Sequence, residues 1–222
     1  MGKFVQLKAS DGHQFDAYVA EPSGKPRGLV VIAPEIFGVN SHIQSVTDGY
    51  AQDGYMAIAP AFFDRGQRKY DAGYTQPDIA AGVEIMKKIS FDDAMLDVAA
   101  ALEYGKAAGK AGIVGYCWGG VLAWLAAGRV AGLSCSAPYY GGAIPNFLKE
   151  TPKCPVMFHF GETDHSITLE QAKVVAAAYP KEQSFFYPAG HGFNCDQRGS
   201  YDAASAKLAR ERTIELLRKH VG

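Results

Sequence analysis

The stretch Gly115-Tyr116-Cys117-Trp118-Gly119-Gly120 constrains the fold of this 222-residue chain more than any other. An apolar run at 111–114 precedes it and a helix-like run at 121–127 follows it. Strand, sharp turn and helix in that order are the setting of the G-x-S-x-G nucleophile elbow, here with a thiol at the central position. Such a turn holds its central residue under backbone strain, which collects at active sites. Residues two positions to either side come close to that backbone, and glycine removes the Cβ that would clash. Gly115 and Gly119 occupy those positions. The turn also leaves Cys117 at a helix N-terminus, where free N–H groups and the helix dipole favour a thiolate. A cysteine that simply fills a core as a small hydrophobe is the commoner case. A reading of Cys117 as a nucleophile therefore depends on partners elsewhere in the chain.

Around the turn the chain alternates strand-like and helix-like segments. Two β-like runs at 4–8 and 14–20 flank Ser10-Asp11-Gly12 and alternate as a half-exposed hairpin does. Residues 28–33 are continuously apolar, as in a strand buried on both faces. Asn40 or Ser41 caps a helix to about Asp53, ended by Gly54, and 55–59 is the next strand, stopped by Pro60. Residues 62–77 read as a loop, and 78–89 and 91–108 as helices. After the elbow helix, which runs to about Arg129, strands are expected at 133–137, 156–160 and 183–187. Helices are expected at 169–179 and 201–220. The pattern predicts an α/β fold, a mainly parallel sheet with helices on both faces and an N-terminal β-hairpin. No repeat, low-complexity tract or long linker divides the chain, and 48% hydrophobic content supplies ample core, so residues 1–222 are expected to form one domain. Ligands of such sheets bind at the carboxyl ends of the strands.

Several function classes are excluded. The net charge is −1 with no Lys/Arg block, which argues against nucleic acid and anionic membrane as partners. No apolar run reaches the length of a membrane span. Met1-Gly2-Lys3-Phe4-Val5-Gln6 has no signal-peptide core, and Gln6 stands where a myristoylation signal has Ser or Thr. A cytoplasmic location is expected. Cys117, Cys135, Cys154 and Cys195 form no C-x-x-C pair, so reduced thiols are expected. His159 and His165 lack the H-E-x-x-H spacing, and no metal is expected; no Walker A or G-x-G-x-x-G pattern points to a nucleotide.

A catalytic thiol needs a base, and the base needs a carboxylate to fix its tautomer. In α/β-hydrolases the order is nucleophile, acid, histidine. Asp164 follows the strand at 156–160 within Gly161-Glu162-Thr163-Asp164. Its alternative is a turn aspartate bonding its own backbone. His191 follows the strand at 183–187, between Gly190 and Gly192, with no evident packing role. Of the other histidines, His13 and His42 precede the elbow, His159 lies within a strand, and His220 sits where a cation suits the helix dipole. An oxyanion hole would use the N–H of Trp118 and one from the loop Pro34-Glu35-Ile36-Phe37-Gly38, for which Ile36 is the candidate. Glu35 is either a loop surface charge or a carboxylate turned into the site against the thiol. Aromatic residues cluster at strand ends, and Phe37, Tyr139 and Phe193 are candidates to line an apolar substrate pocket.

At Glu35-Ile36-Phe37-Gly38-Val39-Asn40, at Gly112-Ile113-Val114 running into the elbow, at Gly161-Glu162-Thr163-Asp164 and at His191-Gly192-Phe193, the chain resembles the dienelactone hydrolase family of the α/β-hydrolase fold. The resemblance covers nearly the whole chain. It implies that Cys117 is the nucleophile, Asp164 the acid and His191 the base, with Glu35 beside the thiol controlling its ionisation. It further implies hydrolysis of the lactone ring of dienelactones in chloroaromatic degradation, no cofactor, and a monomer. One departure stands out. The family's arginine four residues after the catalytic histidine, which helps hold the substrate carboxylate, is replaced by Cys195. Arg198 is the nearest arginine, and Arg65 or Arg68 could supply a second positive group.

Sulfur chemistry points the same way independently. A thiolate leaves a tetrahedral intermediate more readily than an alkyl alkoxide does, so attack on an alkyl ester tends to revert. Against an enolate or phenolate, forward collapse competes. A cysteine elbow therefore suits enol-lactones and activated esters, and the histidine would then activate water to cleave the thioester. The readings carried forward are a lactone hydrolase, a broader carboxylesterase or thioesterase, and a non-catalytic binding protein.

Overall fold

The computed structural model describes residues 2–222. Its strands are β1 (Lys3–Lys8), β2 (Gln14–Ala20), β3 (Leu29–Ala33), β4 (Met56–Pro60), β5 (Ala111–Tyr116), β6 (Leu133–Tyr139), β7 (Met157–Gly161) and β8 (Gln183–Tyr187). Its helices are α1 (Ser41–Gln52), α2 (Gln76–Met86), α3 (Phe91–Gly105), α4 (Trp118–Arg129), α5 (Leu169–Ala178) and α6 (Ala203–His220). One sheet takes the order β1-β2-β4-β3-β5-β6-β7-β8. β1 and β2 form the antiparallel hairpin, β2 pairs antiparallel with β4, and every pairing from β4 to β8 is parallel.

β3 shows why the sheet needs helices on both sides. Side chains alternate across a strand. Leu29, Val31 and Ala33 enter one core, with Val98 of α3, Leu122 of α4 and Val175 of α5. Val30 and Ile32 enter the other, with Ile43 and Tyr50 of α1 and Leu217 of α6. All five strand residues are fully buried, and each large aliphatic among them contributes about 1.5–3 kcal/mol by leaving water.

Element ends differ from the sequence expectation where caps decide them. α2 starts at Gln76 because the Thr75 side chain accepts from the Asp78 N–H and Asp78 bonds back to the Thr75 N–H. Pro77 falls in the first helical turn, where its missing N–H costs nothing. α6 starts at Ala203, not 201, because Asp202 caps it through the Ser205 N–H at 2.8 Å. β6 runs two residues beyond 137, and the ladder continues past it as the Cys117 N–H donates to the Tyr139 carbonyl and the Tyr140 N–H to the His159 carbonyl. Within the expected loop at 62–77, Phe62–Arg65 forms a 3₁₀ turn. No helix among the described residues is long and apolar enough to cross a membrane.

Because β3, β5, β7 and β8 run parallel, their carboxyl ends share one edge of the sheet. The segments that follow them carry Glu35, Cys117, Asp164 and His191.

Candidate active site

β5 ends at Tyr116, and Cys117 turns the chain into α4 with φ 56° and ψ −116°. That is strained backbone for a residue with a Cβ, costing of order 1–3 kcal/mol. The surrounding glycines make the turn possible. A Cβ on Gly115 would strike the Gly119 carbonyl, one on Gly119 the Ala33 carbonyl, and one on Gly120 the Tyr139 carbonyl. α4 therefore begins hard against the ends of β3 and β6. The Cys117 N–H donates to the Tyr139 carbonyl at 3.1 Å, and the Cys117 carbonyl accepts from Gly120 at 2.9 Å. The Trp118 N–H is the first donor of α4, a position with no helical carbonyl one turn before it to accept. The absence of a Cβ on Gly119 also lets Ala33 and Pro34, at the start of the loop that carries Ile36, lie against this turn.

Asp164 is completely buried at its side chain. Its Oδ1 accepts from the Ser166 N–H at 2.6 Å and the Ile167 N–H at 3.1 Å, while His191 Nδ1 lies 2.9 Å from its Oδ2. Both readings of this residue hold at once, a turn aspartate and a partner of histidine. With Nδ1 turned to Asp164, Nε2 is the ring nitrogen left for Cys117, whose charge acts on His191. Burial alone would lower the pKa of His191, but negative charge at Cys117 and the bonds to Asp164 and Cys117 outweigh it and raise the pKa to about 10.

Glu35 is no surface charge. It is 1% exposed, and its Oε1 accepts from Arg198 Nη1 at 2.9 Å while Oε2 has no hydrogen-bond partner. The Arg198 guanidinium also lies 5.7 Å from the centre of the Phe37 ring and 5.9 Å from that of Tyr74, within cation–π range. Burial pulls the Arg198 pKa down, and the charges of Glu35 and Cys117 more than restore it.

The profile of the dienelactone hydrolase family matches residues 15–221. The chain belongs to the dienelactone hydrolase family. It is 30% identical over 233 residues to the carboxymethylenebutenolidase of Pseudomonas putida, covering 96% of this chain and 94% of that one. It is 34% identical over 224 residues to a protein of Synechocystis sp. provisionally named carboxymethylenebutenolidase, covering 91% of each. A crystal structure from Klebsiella pneumoniae, provisionally named a dienelactone hydrolase, superposes with a TM-score of 0.84 at 26% identity, covering 98% of this chain and all of that one.

Other sequence candidates of this family member fall elsewhere. Arg65 is committed to structure. It grips Asp97 of α3 through Nε and Nη2, each at 2.8 Å, and Asp11 of the β1–β2 turn through Nη1 at 2.8 Å. Three of its five N–H donors go to protein carboxylates, and its side chain is only 9% exposed. Tyr139 is fully buried with its hydroxyl 2.6 Å from Thr213 Oγ1 of α6 and its ring stacked on His159. Phe193 is a fully buried ring packed against Tyr140 and Tyr187. Both are core residues beneath the site, not pocket lining. Phe37 stays near it, edge-on to Tyr74 and under Arg198.

Tyr140 is one of the strand-end aromatics, and it stands at the site. It has φ 37°, its ring meets that of His191 edge-on at 5.1 Å, and its buried hydroxyl has no partner. Its only sequence signal is its place just past a strand end, which it shares with Tyr139. A surface cleft of about 290 Å³, lined by Phe4, Asp16, Asp64 and Tyr70 among others, holds none of Cys117, Asp164 and His191. Among the described residues, one group has metal-ligand chemistry: ligand atoms of His42, Cys195 and Asp196 all lie within 4.8 Å of one another.

Proposed function

We propose that this chain hydrolyses lactones and other activated esters through a thioester on Cys117, with small enol-lactones of the dienelactone kind as the preferred class. The observation that carries the reading is the grouping of Cys117 on its strained turn, close enough for its charge to act on His191, with the 2.9 Å bond from His191 to Asp164. The thiolate attacks the ester carbonyl, and the oxyanion takes the N–H groups of Trp118 and Ile36. Collapse expels the enolate, which receives the proton of the His191 imidazolium. In a lactone the released enol stays attached to the acyl group. The now neutral imidazole takes a proton from water, the water attacks the thioester, and the thiolate leaves. Asp164 holds the ring in the required orientation throughout. Glu35, buried beside this site, sets the charge felt by the thiol and is itself neutralised by Arg198. Donors of Arg198 not used by Glu35 take a substrate carboxylate, in place of the arginine lost at Cys195. The P. putida and Synechocystis similarities support the lactone class.

The test is kcat/KM on a carboxylate-bearing dienelactone and on a neutral aryl acetate. The lactone is expected to be preferred, and Cys117→Ala is expected to abolish turnover of both. Arg198→Met is expected to lower kcat/KM on the lactone about tenfold more than on the aryl ester, the scale of one charge-assisted hydrogen bond. Full activity in Cys117→Ala would overturn the reading. A preference for the aryl ester would move it to a broader esterase.

A further inference from the structure

His42 lies in the first turn of α1, and Cys195 and Asp196 follow His191 by four and five residues. They are 154 residues apart in sequence at the widest, yet His42 Nδ1 is 3.0 Å from Asp196 Oδ1. The imidazole is 5% exposed, Cys195 is fully buried, and the Asp196 carboxylate is 64% exposed. A ring nitrogen, a thiol sulfur and a carboxylate oxygen within 4.8 Å of one another form the donor set of a borderline divalent ion such as Zn²⁺. Hard ions such as Mg²⁺ take oxygen donors and are disfavoured by the nitrogen and sulfur. At zinc–ligand distances of about 2.0–2.2 Å in a tetrahedral site, nitrogen and oxygen stand roughly 3.3–3.6 Å apart. The His42–Asp196 pair needs to open by only a few tenths of an ångström. The exposed Asp196 side provides an entry path and leaves room for a solvent ligand in the fourth position.

We propose that His42, Cys195 and Asp196 bind one Zn²⁺-class divalent cation, independently of the catalytic triad. On binding, the Cys195 S–H bond breaks, its proton goes to solvent, and the sulfur bonds the metal. The Nδ1 proton that His42 shares with Asp196 is replaced by the metal and carried on Nε2, so the imidazole binds as a neutral ligand, and no oxidation state changes. The ion ties the start of α1 to the segment that carries His191 on one side and Arg198 on the other. Occupancy therefore stiffens the segment between the catalytic base and the arginine on Glu35, and stabilises the folded chain by mass action.

The experiment titrates the chelator-stripped full chain with Zn²⁺ alone by calorimetry, and with Co²⁺ to read thiolate-to-metal charge transfer in the near ultraviolet. One site per chain is expected, with a rise in Tm on zinc addition. Cys117→Ala retains the site, Cys195→Ser loses the charge-transfer band, and Asp196→Asn weakens zinc binding about tenfold or more. Asp196 is exposed, so this variant keeps the fold even if His42→Ala does not. Absence of binding would overturn the proposal. So would binding lost in Cys117→Ala but unchanged in Asp196→Asn, which would place the ion on the catalytic cysteine and histidine.

Discussion

Asp164 divides its two oxygens between tasks. One fixes the turn that follows β7 by accepting two backbone N–H groups, and the other orients His191. His191 is therefore held by a rigid carboxylate, and Cys117 acts on its charge state from the other side. His191 stands at about 10 because negative charge at Cys117 and bonds to Asp164 and Cys117 overcome burial. In Cys117→Ala the largest raising influence is gone, so the His191 pKa is expected to fall well below 10 in an NMR titration of labelled histidine. A value unchanged near 10 would contradict the pairing. The grouping of Cys117, Asp164 and His191 was legible in sequence because each sits in a short motif tied to a strand end. The choice between Tyr139 and Tyr140 was not, because it depends on where β6 stops. Nor was the fate of Arg65, whose partners Asp11 and Asp97 lie 54 and 32 residues away.

Arg65 belongs to the scale of elements. It ties the turn after β4 to α3 and to the β1–β2 hairpin, with Asp97 fully buried at the joint. Removing one partner of a buried pair leaves an uncompensated charge, so Arg65→Ala is expected to cost about 3–5 kcal/mol in urea denaturation. It is expected to leave the ratio of lactone to aryl-ester turnover unchanged. A loss well under 1 kcal/mol would mean that the pair is not structural. The elements themselves were readable from periodicity, and all eight strands fall where apolar runs lie. Their ends were less so. Thr75 with Asp78 and Asp202 with Ser205 decide helix starts through side-chain caps, and periodicity does not report these.

At the scale of the whole molecule, the alternation of strands and helices foretold a layered α/β fold. The strand order did not follow from sequence, since β4 lies between β2 and β3 only because of packing. One buried polar network crosses these layers. His159 of β7 bonds Tyr187 of β8 at 2.8 Å and Thr213 of α6 at 3.1 Å. Burial pushes its pKa down to about 3 from an ordinary 6.5. Between those values the unfolded chain binds more protons than the folded one, so this group's contribution is whole above pH 6.5 and is lost as pH falls. The slope is at most about 1.4 kcal/mol per pH unit. His159→Gln is expected to flatten the acid limb of the stability–pH curve, and an identical slope in parent and variant would contradict this. The proposed chemistry turns on one thiol, and the most direct test is on that atom. Protein quenched with acid during turnover of an aryl acetate, then digested and analysed by mass spectrometry, should carry one acyl group on the peptide containing Cys117. An acyl group on any other residue, or full turnover by Cys117→Ala, would contradict the account.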